Sequence, residues 1–271
     1  MAYDGAGFCG WQSQPRDPSV QEELEKALGT LLKTKAGVTG AGRTDTGVNA
    51  GHYVAHFDYE GPLAVDCLQL RYKLNAILPR QVSILSVAEA EPDFHARFDA
   101  VMRQYTYYLH RIKNPFVERY SFFYAYPSVD FELMNKAAEM LVGKHDYSCF
   151  EKSGGDNKTS VCTVFSARWE PYEPTLNPLP SAQEAGFVDG EPKYWRFVIE
   201  ADRFLRNMVR AVVGTLLEVG RGRRSPEEFA ALILPPDAPR SDASRRSEAG
   251  ESVPGNALFL TRIDYPQKHV K

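Results

Sequence analysis

The feature that most constrains the fold is a hydrophobic period that keeps changing along the first hundred residues. Ser19-Val20-Gln21-Glu22 has the form of a capping box. Val20, Leu24, Ala27, Leu28 and Leu31 then recur at helical spacing, which predicts a helix over 19–33. Lys33 and Lys35 sit where a helix C-terminus favours cations. Residues 38–41 read as a short strand, 42–50 as a loop rich in Gly and Thr, and 52–59 as a further strand. A second helix is predicted over 65–78, stopped by Pro79, and a strand over 82–87. This strand–helix–strand–strand–helix–strand order implies an α+β unit with helices on one face of a sheet.

The rest of the chain repeats the style. A Tyr-rich strand is predicted over 103–111, a helix capped by Asp130 and running to Leu141, strands over 161–169 and 194–201, a helix over 203–219 ended by Gly220, and a last strand over 257–265. The division expected is therefore an N-terminal half, 1–100, with the loop 42–50, and a C-terminal half, 101–271, with the Arg-rich helix 203–219. The stretch 171–192 carries five prolines and reads as an irregular loop, and 234–255, rich in Pro, Ser, Ala and Arg, reads as a mobile segment.

Composition removes several classes. With 43% apolar and 25% charged residues the chain is ordinary for a globular protein, and it has no run of eighteen apolar residues that would span a membrane. No signal pattern opens it, so cytoplasmic residence is expected. Cys9, Cys67, Cys149 and Cys162 form no C-x-x-C and read as buried reduced thiols. His52 and His56, four apart on the strand expected there, would stand roughly 13 Å from each other, too far to share an ion. No metal is expected. The formal charge of −3 weighs against nucleic acid, because Lys and Arg dominate phosphate binding. Yet six arginines and one acid, Glu218, lie between Arg203 and Arg224. Arg203, Arg206 and Arg210 would share a helix face, with Leu205, Val209, Val212 and Leu216 largely opposite. Arg221, Arg223 and Arg224 follow that helix, and either contact phosphates or complement its C-terminal dipole.

The most informative segment is Gly42-Arg43-Thr44-Asp45-Thr46-Gly47-Val48-Asn49-Ala50. Thr-Asp-Thr-Gly is by itself ordinary turn chemistry. Arg43, two residues from the acid, adds a cation that keeps a carboxylate ionised. Other segments follow in order: Ala2-Tyr3-Asp4-Gly5 with Gly10-Trp11-Gln12; Phe94-His95-Ala96-Arg97-Phe98; Arg103-Gln104-Tyr105-Thr106-Tyr107; the pattern G-x-H-D-Y-x-x-F over 143–150; Met208-Val209-Arg210; and Leu258-Phe259-Leu260 before Asp264-Tyr265-Pro266. Together these resemble the tRNA pseudouridine synthase I family, which modifies nucleotides 38 to 40 of the tRNA anticodon arm. The resemblance covers essentially the whole chain. It departs at Asn49, where the family usually has a histidine, at an opening strand that Met1 almost abuts, and at a longer 171–192 loop.

The resemblance implies two ferredoxin-like halves with joined antiparallel sheets, an active-site cleft between them, and a homodimer that binds tRNA across both subunits. It makes Asp45 the catalytic residue, as nucleophile or proton acceptor. Tyr105 matches the family tyrosine that stacks on the flipped uracil, Arg210 the arginine that pairs with the catalytic Asp, and Leu258 an apolar residue near the tyrosine. Arg43 completes the expected substrate-binding set. The reaction breaks the uridine N1–C1′ bond, turns the base and joins C5 to C1′. It needs no redox change and no outside group, so no cofactor is expected. A glycosidase would need a second carboxylate to deliver water, and this loop offers one acid. A catalytically silent RNA-binding protein on the same fold is the alternative.

Overall fold

A computed structural model describes residues 1–61, 63, 65–154, 158–179, 192–238 and 245–266. In chain order the elements are β1 (Ala2–Tyr3), α1 (Val20–Leu32), β2 (Val38–Gly40), β3 (Asn49–Ala50), β4 (Ala55–Phe57), α2 (Cys67–Ile77), β5 (Val82–Ser83), β6 (Met102–His110), β7 (Phe122–Phe123), α3 (Phe131–Glu139), β8 (Gly143–Asp146), β9 (Val161–Pro171), β10 (Tyr194–Ala201), α4 (Met208–Gly220), α5 (Pro226–Ala230) and β11 (Leu258–Asp264). The architecture is mixed α/β with mainly antiparallel strands. Two compact units are present: Met1–Arg103 with Phe259–Lys271, and Gln104–Leu258.

In the first unit the strand order is β5-β1-β3-β11, and β2 pairs with β4 as a separate antiparallel ribbon. Ser19 caps α1 by accepting the Glu22 N–H at 3.3 Å, and the Glu22 carboxylate pairs with Lys26 at 2.9 Å. Asp66 caps α2 through the Gln69 N–H at 2.7 Å. Val20, Leu24, Ala27 and Leu28 of α1 and Leu70 and Leu74 of α2 are buried, each set at helical spacing.

Two strands differ from expectation for identifiable reasons. The segment 52–59 is interrupted because Gly51 and His52 both donate to the Leu260 carbonyl, at 2.9 and 3.2 Å, before the chain leaves to pair with β2. His52 is therefore off the strand, and the extended spacing to His56 does not apply. The segment 82–87 stops at Ser83 because the Asn75 side chain takes the backbone of Ile84 on both sides, at 2.8 and 2.9 Å.

In the second unit the order is β6-β10-β9-β8, with β7 parallel to β6. Helix α3, capped by Asp130 on the Leu133 N–H at 2.8 Å, buries Met134, Ala137 and Ala138. Helix α4 buries Met208, Val209, Ala211, Val212, Val213, Leu216 and Leu217. The Arg-rich helix begins at Met208, not at residue 203. Asp202 captures the Arg203 N–H at 2.7 Å and the Thr163 N–H at 2.8 Å. Arg206 gives its carbonyl to Lys152, and Asn207 is left-handed with φ 65°. Arg203 and Arg206 thus precede the helix, and the three-arginine face is reduced to Arg210.

Ser225 and Glu228 form a reciprocal capping box at α5, with Pro226 in its first turn. The stretch 171–192 begins within β9, and its residues 180–191 lie outside the described residues. Of 234–255, residues 239–244 lie outside them, and Arg246–Glu248 makes one 3-10 turn.

Candidate active site

The loop 42–50 is built by close backbone contact before any side chain is considered. Gly10 has φ +93°, and a Cβ there would stand 2.2 Å from the Thr44 carbonyl oxygen. A Cβ on Gly5 would stand 2.3 Å from the Val48 carbonyl oxygen. Only glycine admits both approaches. Trp11 N–H donates to Thr44 at 3.3 Å, Gly47 N–H to Phe8 at 3.3 Å, and Val48 N–H closes a turn on the Asp45 carbonyl at 3.1 Å. Gly47, at φ 74°, supplies the left-handed residue of that turn.

Side chains then lock the loop from beneath. Buried Thr44 shares a 2.9 Å hydrogen bond with the Tyr3 hydroxyl. Buried Asn49 accepts the Gly5 N–H at 2.8 Å through Oδ1. Tyr53 donates its hydroxyl to the Gly42 carbonyl, and its ring packs on Trp11 at 4.2 Å and on Tyr3 at 5.4 Å. Arg103 donates to the Ala41 carbonyl at 3.0 Å and the Arg97 carbonyl at 2.6 Å, tying the loop's entrance to the 94–98 turn. On this base Asp45 is half-buried and Arg43 exposed, with Arg43 Nε donating to Gln12 at 3.2 Å. The arrangement presents one carboxylate and one guanidinium on a loop that has little freedom to move.

Of the other site residues, Tyr105, Arg210 and Leu258 belong to the second unit. Tyr105 lies on β6, half-buried, with its ring edge-on to Phe204 at 5.1 Å and 89°. Arg210, in the first turn of α4, is held by Nε donating to the Val253 carbonyl at 2.8 Å, while Val253 N–H returns to the Arg210 carbonyl at 3.2 Å. Leu258 is 4% exposed at the start of β11. Tyr107, two residues along β6 from Tyr105, is fully buried. Burial pushes its phenol well above the ordinary range, opposed only in part by the charge of Arg210, and its hydroxyl has no hydrogen-bond partner among the described residues.

The sequence motif names Arg43 and Asp45 but does not show what holds them. Gly5, Gly10 and Asn49 are the support, and the close spacing of the glycines around Tyr3 and Trp11 was the available signal. Cys149 and Cys162 are buried reduced thiols, with burial pushing Cys162 up to about 12. Cys9 and Cys67 are reduced but only half-buried. Among the described residues no group of three or more His, Cys, Asp or Glu could hold a metal ion, and no helix is long and apolar enough to cross a membrane.

A family model described as tRNA pseudouridine synthase matches residues 137–266. The tRNA pseudouridine synthase A of Bacteroides fragilis is 46% identical over 99% of this chain and 95% of its own length. That of Porphyromonas gingivalis is 42% identical over 98% and 95%, and that of Listeria innocua 35% identical over 98% and 97%. The chain belongs to the tRNA pseudouridine synthase A family.

Proposed function

We propose that this protein isomerises uridine to pseudouridine at nucleotides 38 to 40 of the tRNA anticodon arm, with Asp45 as the catalytic carboxylate. The observation that carries the reading is the glycine-built loop, which presents half-buried Asp45 beside exposed Arg43. Asp45 acts at the ribose as nucleophile or proton acceptor, a task that suits a carboxylate desolvated only when substrate arrives. The N1–C1′ bond breaks, the uracil turns, and C5 bonds to C1′. The C5 proton leaves and N1 ends protonated, so atoms balance without a cofactor or metal.

Tyr105, Arg210, Leu258 and Arg43 bind the same flipped uridine in this reading. Tyr105 stacks on the uracil, and its phenol takes the C5 proton. Arg210 pairs with Asp45, and Leu258 packs beside the tyrosine. Two ferredoxin-like halves with the active-site cleft between them, a homodimer and cytoplasmic residence belong to the same proposal, on the strength of the family resemblance.

Replacement of Asp45 by Asn tests it. In a single-turnover assay, Asp45→Asn is expected to lower pseudouridine formation by about 10⁴-fold or more while tRNA binding and thermal stability stay near wild type. Activity within tenfold of wild type sinks the assignment. Pseudouridine mapping in cells lacking the protein tests the position: loss outside nucleotides 38 to 40, with those retained, would overturn the anticodon-arm reading.

A further inference from the structure

The turn after α4 carries Arg221, Arg223 and Arg224, and a helix C-terminus gives such residues an ordinary reason to exist. This helix has its hydrogen-bonding needs met without them. Its last four carbonyls, those of Leu217, Glu218, Val219 and Gly220, accept the backbone N–H groups of Arg221 at 3.2 Å, Arg223 at 2.9 Å, Gly222 at 2.8 Å and Asp130 at 2.9 Å. Arg224 pairs with Glu218 at 3.0 Å. The other two guanidiniums go elsewhere.

Arg221 lies over the Tyr126 ring, 5.2 Å from its centroid. Tyr126 stacks in turn on Tyr124, with centroids 6.3 Å apart and planes 21° from parallel. Arg111 reaches the same place from the end of β6, donating to the carbonyls of Tyr126 at 2.6 Å and Pro127 at 3.2 Å. Burial raises the Tyr124 phenol, and the charges of Arg221, Arg111 and Arg223 each offset that in part. The Tyr124 hydroxyl and Arg221 Nε are buried with no hydrogen-bond partner among the described residues. The nearby Asp130 carboxylate is engaged on the Leu133 N–H at 2.8 Å. Tyr126 and Arg223 are exposed.

Arg111 and Arg221 converge on the Tyr126 segment and Arg223 follows two residues after Arg221, so this exposed aromatic surface is positively charged. Guanidiniums interleaved with exposed aromatics are the means by which proteins hold unpaired nucleic acid, with charge on the backbone and a ring on the base.

We propose that Arg111, Arg221, Arg223 and Tyr126 form an RNA-backbone site, in which the guanidiniums hold a tRNA phosphate and the Tyr126 face stacks an adjoining unpaired base. The inference rests on tRNA being the substrate and does not depend on Asp45 being the catalytic group.

Binding of the full-length protein to unmodified tRNA transcript across a range of salt concentrations tests it. Arg223→Gln and Arg221→Gln are each expected to weaken affinity and to flatten the slope of log K against log salt by about 0.7–0.9 for each phosphate no longer held. Arg168→Gln, which removes an exposed cation paired with Glu170 at 2.9 Å, is expected to keep the full slope. Tyr126→Ala should weaken binding about five- to hundredfold, and Tyr126→Phe should retain it. Asp45→Asn should bind with the wild-type slope, which separates the failure of this site from a failure of the catalytic assignment. If half-buried Arg221→Gln does not fold, exposed Arg223→Gln decides. An unchanged slope in Arg223→Gln, or an equal flattening in Arg168→Gln, overturns the proposal.

Discussion

The loop 42–50 and strand β6 hold the residues of the proposed site in opposite ways. In the loop, position comes from backbone pressed on backbone: Gly5 and Gly10 let carbonyls approach where no Cβ could stand, and Asn49 and Thr44 fasten the result. In β6, position comes from its place in the sheet, and side chains change without moving the chain. A substitution among the loop's supports should therefore move a whole group of atoms, whereas one in the strand should delete single atoms. Stability and chemistry ought to fail together in the first region and apart in the second.

Among substitutions in β6 and in the supports of the loop, Tyr105→Phe should produce the largest effect, and it should leave the fold intact. A Phe face still stacks on uracil, so tRNA binding should persist. If the phenol accepts the C5 proton, turnover should fall by about 10²–10⁴-fold, as is usual for lost acid–base help. Release of tritium from C5-labelled substrate should slow in parallel. Near-normal turnover would leave the ring as a stacking platform only.

Gly10→Ala should come next and show the other behaviour. The new Cβ meets the Thr44 carbonyl oxygen at 2.2 Å, at a φ of +93° that alanine tolerates poorly. The loop must shift, and a displacement near 1 Å can cost about 10²-fold in rate. Thermal stability should fall with activity. A variant that loses activity at unchanged Tm, or keeps both, would show that the loop is not fixed by this approach.

Asn49 offers a smaller and more selective perturbation. Asn49→Ala leaves the buried Gly5 N–H without its acceptor, at a cost of about 1–3 kcal/mol in chemical denaturation. Asn49→His restores a ring nitrogen that can accept. It should recover both stability and turnover beyond the alanine variant. Equal loss in both would mean that the amide contributes something other than an acceptor.

These contrasts also explain which parts could be read from the sequence. Helices α1 and α3 were legible because Ser19 and Asp130 cap amphipathic repeats that are local in the chain, and α2 because Pro79 stops it. The start of α4 was not, since hydrophobic spacing through 203–207 cannot reveal that Asp202 and Lys152 capture backbone groups that a helix would use. Nor could the spacing show that β11 returns to pair with β3, placing Phe259 opposite Asn49 across more than two hundred residues. Helix α5 was legible and overlooked: Ser225-Pro226-Glu227-Glu228 spells its cap outright. At the site, the motif names Asp45 and Arg43, but the contacts of Gly10 with Thr44 and of Asn49 with Gly5 join residues far apart in the chain, which spacing does not reveal.

Tyr107→Phe should have the smallest effect, and for that reason it sharpens the strand's side of the comparison most. Tyr105 and Tyr107 share a face of β6 by the two-residue period, so any general disturbance of that face should register at both. Their hydroxyls differ. That of Tyr107 is buried and has no hydrogen-bond partner among the described residues, and burial holds the phenol neutral far above physiological pH despite the charge of Arg210. A buried, unsatisfied hydroxyl costs stability, so deleting it should leave Tm unchanged or slightly raised. Turnover should stay within about threefold of wild type, below the range expected of a missing catalytic proton acceptor. A severe loss equal to that of Tyr105→Phe would mean either that the catalytic tyrosine has been wrongly assigned or that the whole face acts by packing. Thermal denaturation separates the two: a lowered Tm points to packing, and an unchanged Tm transfers the proton-transfer role to Tyr107.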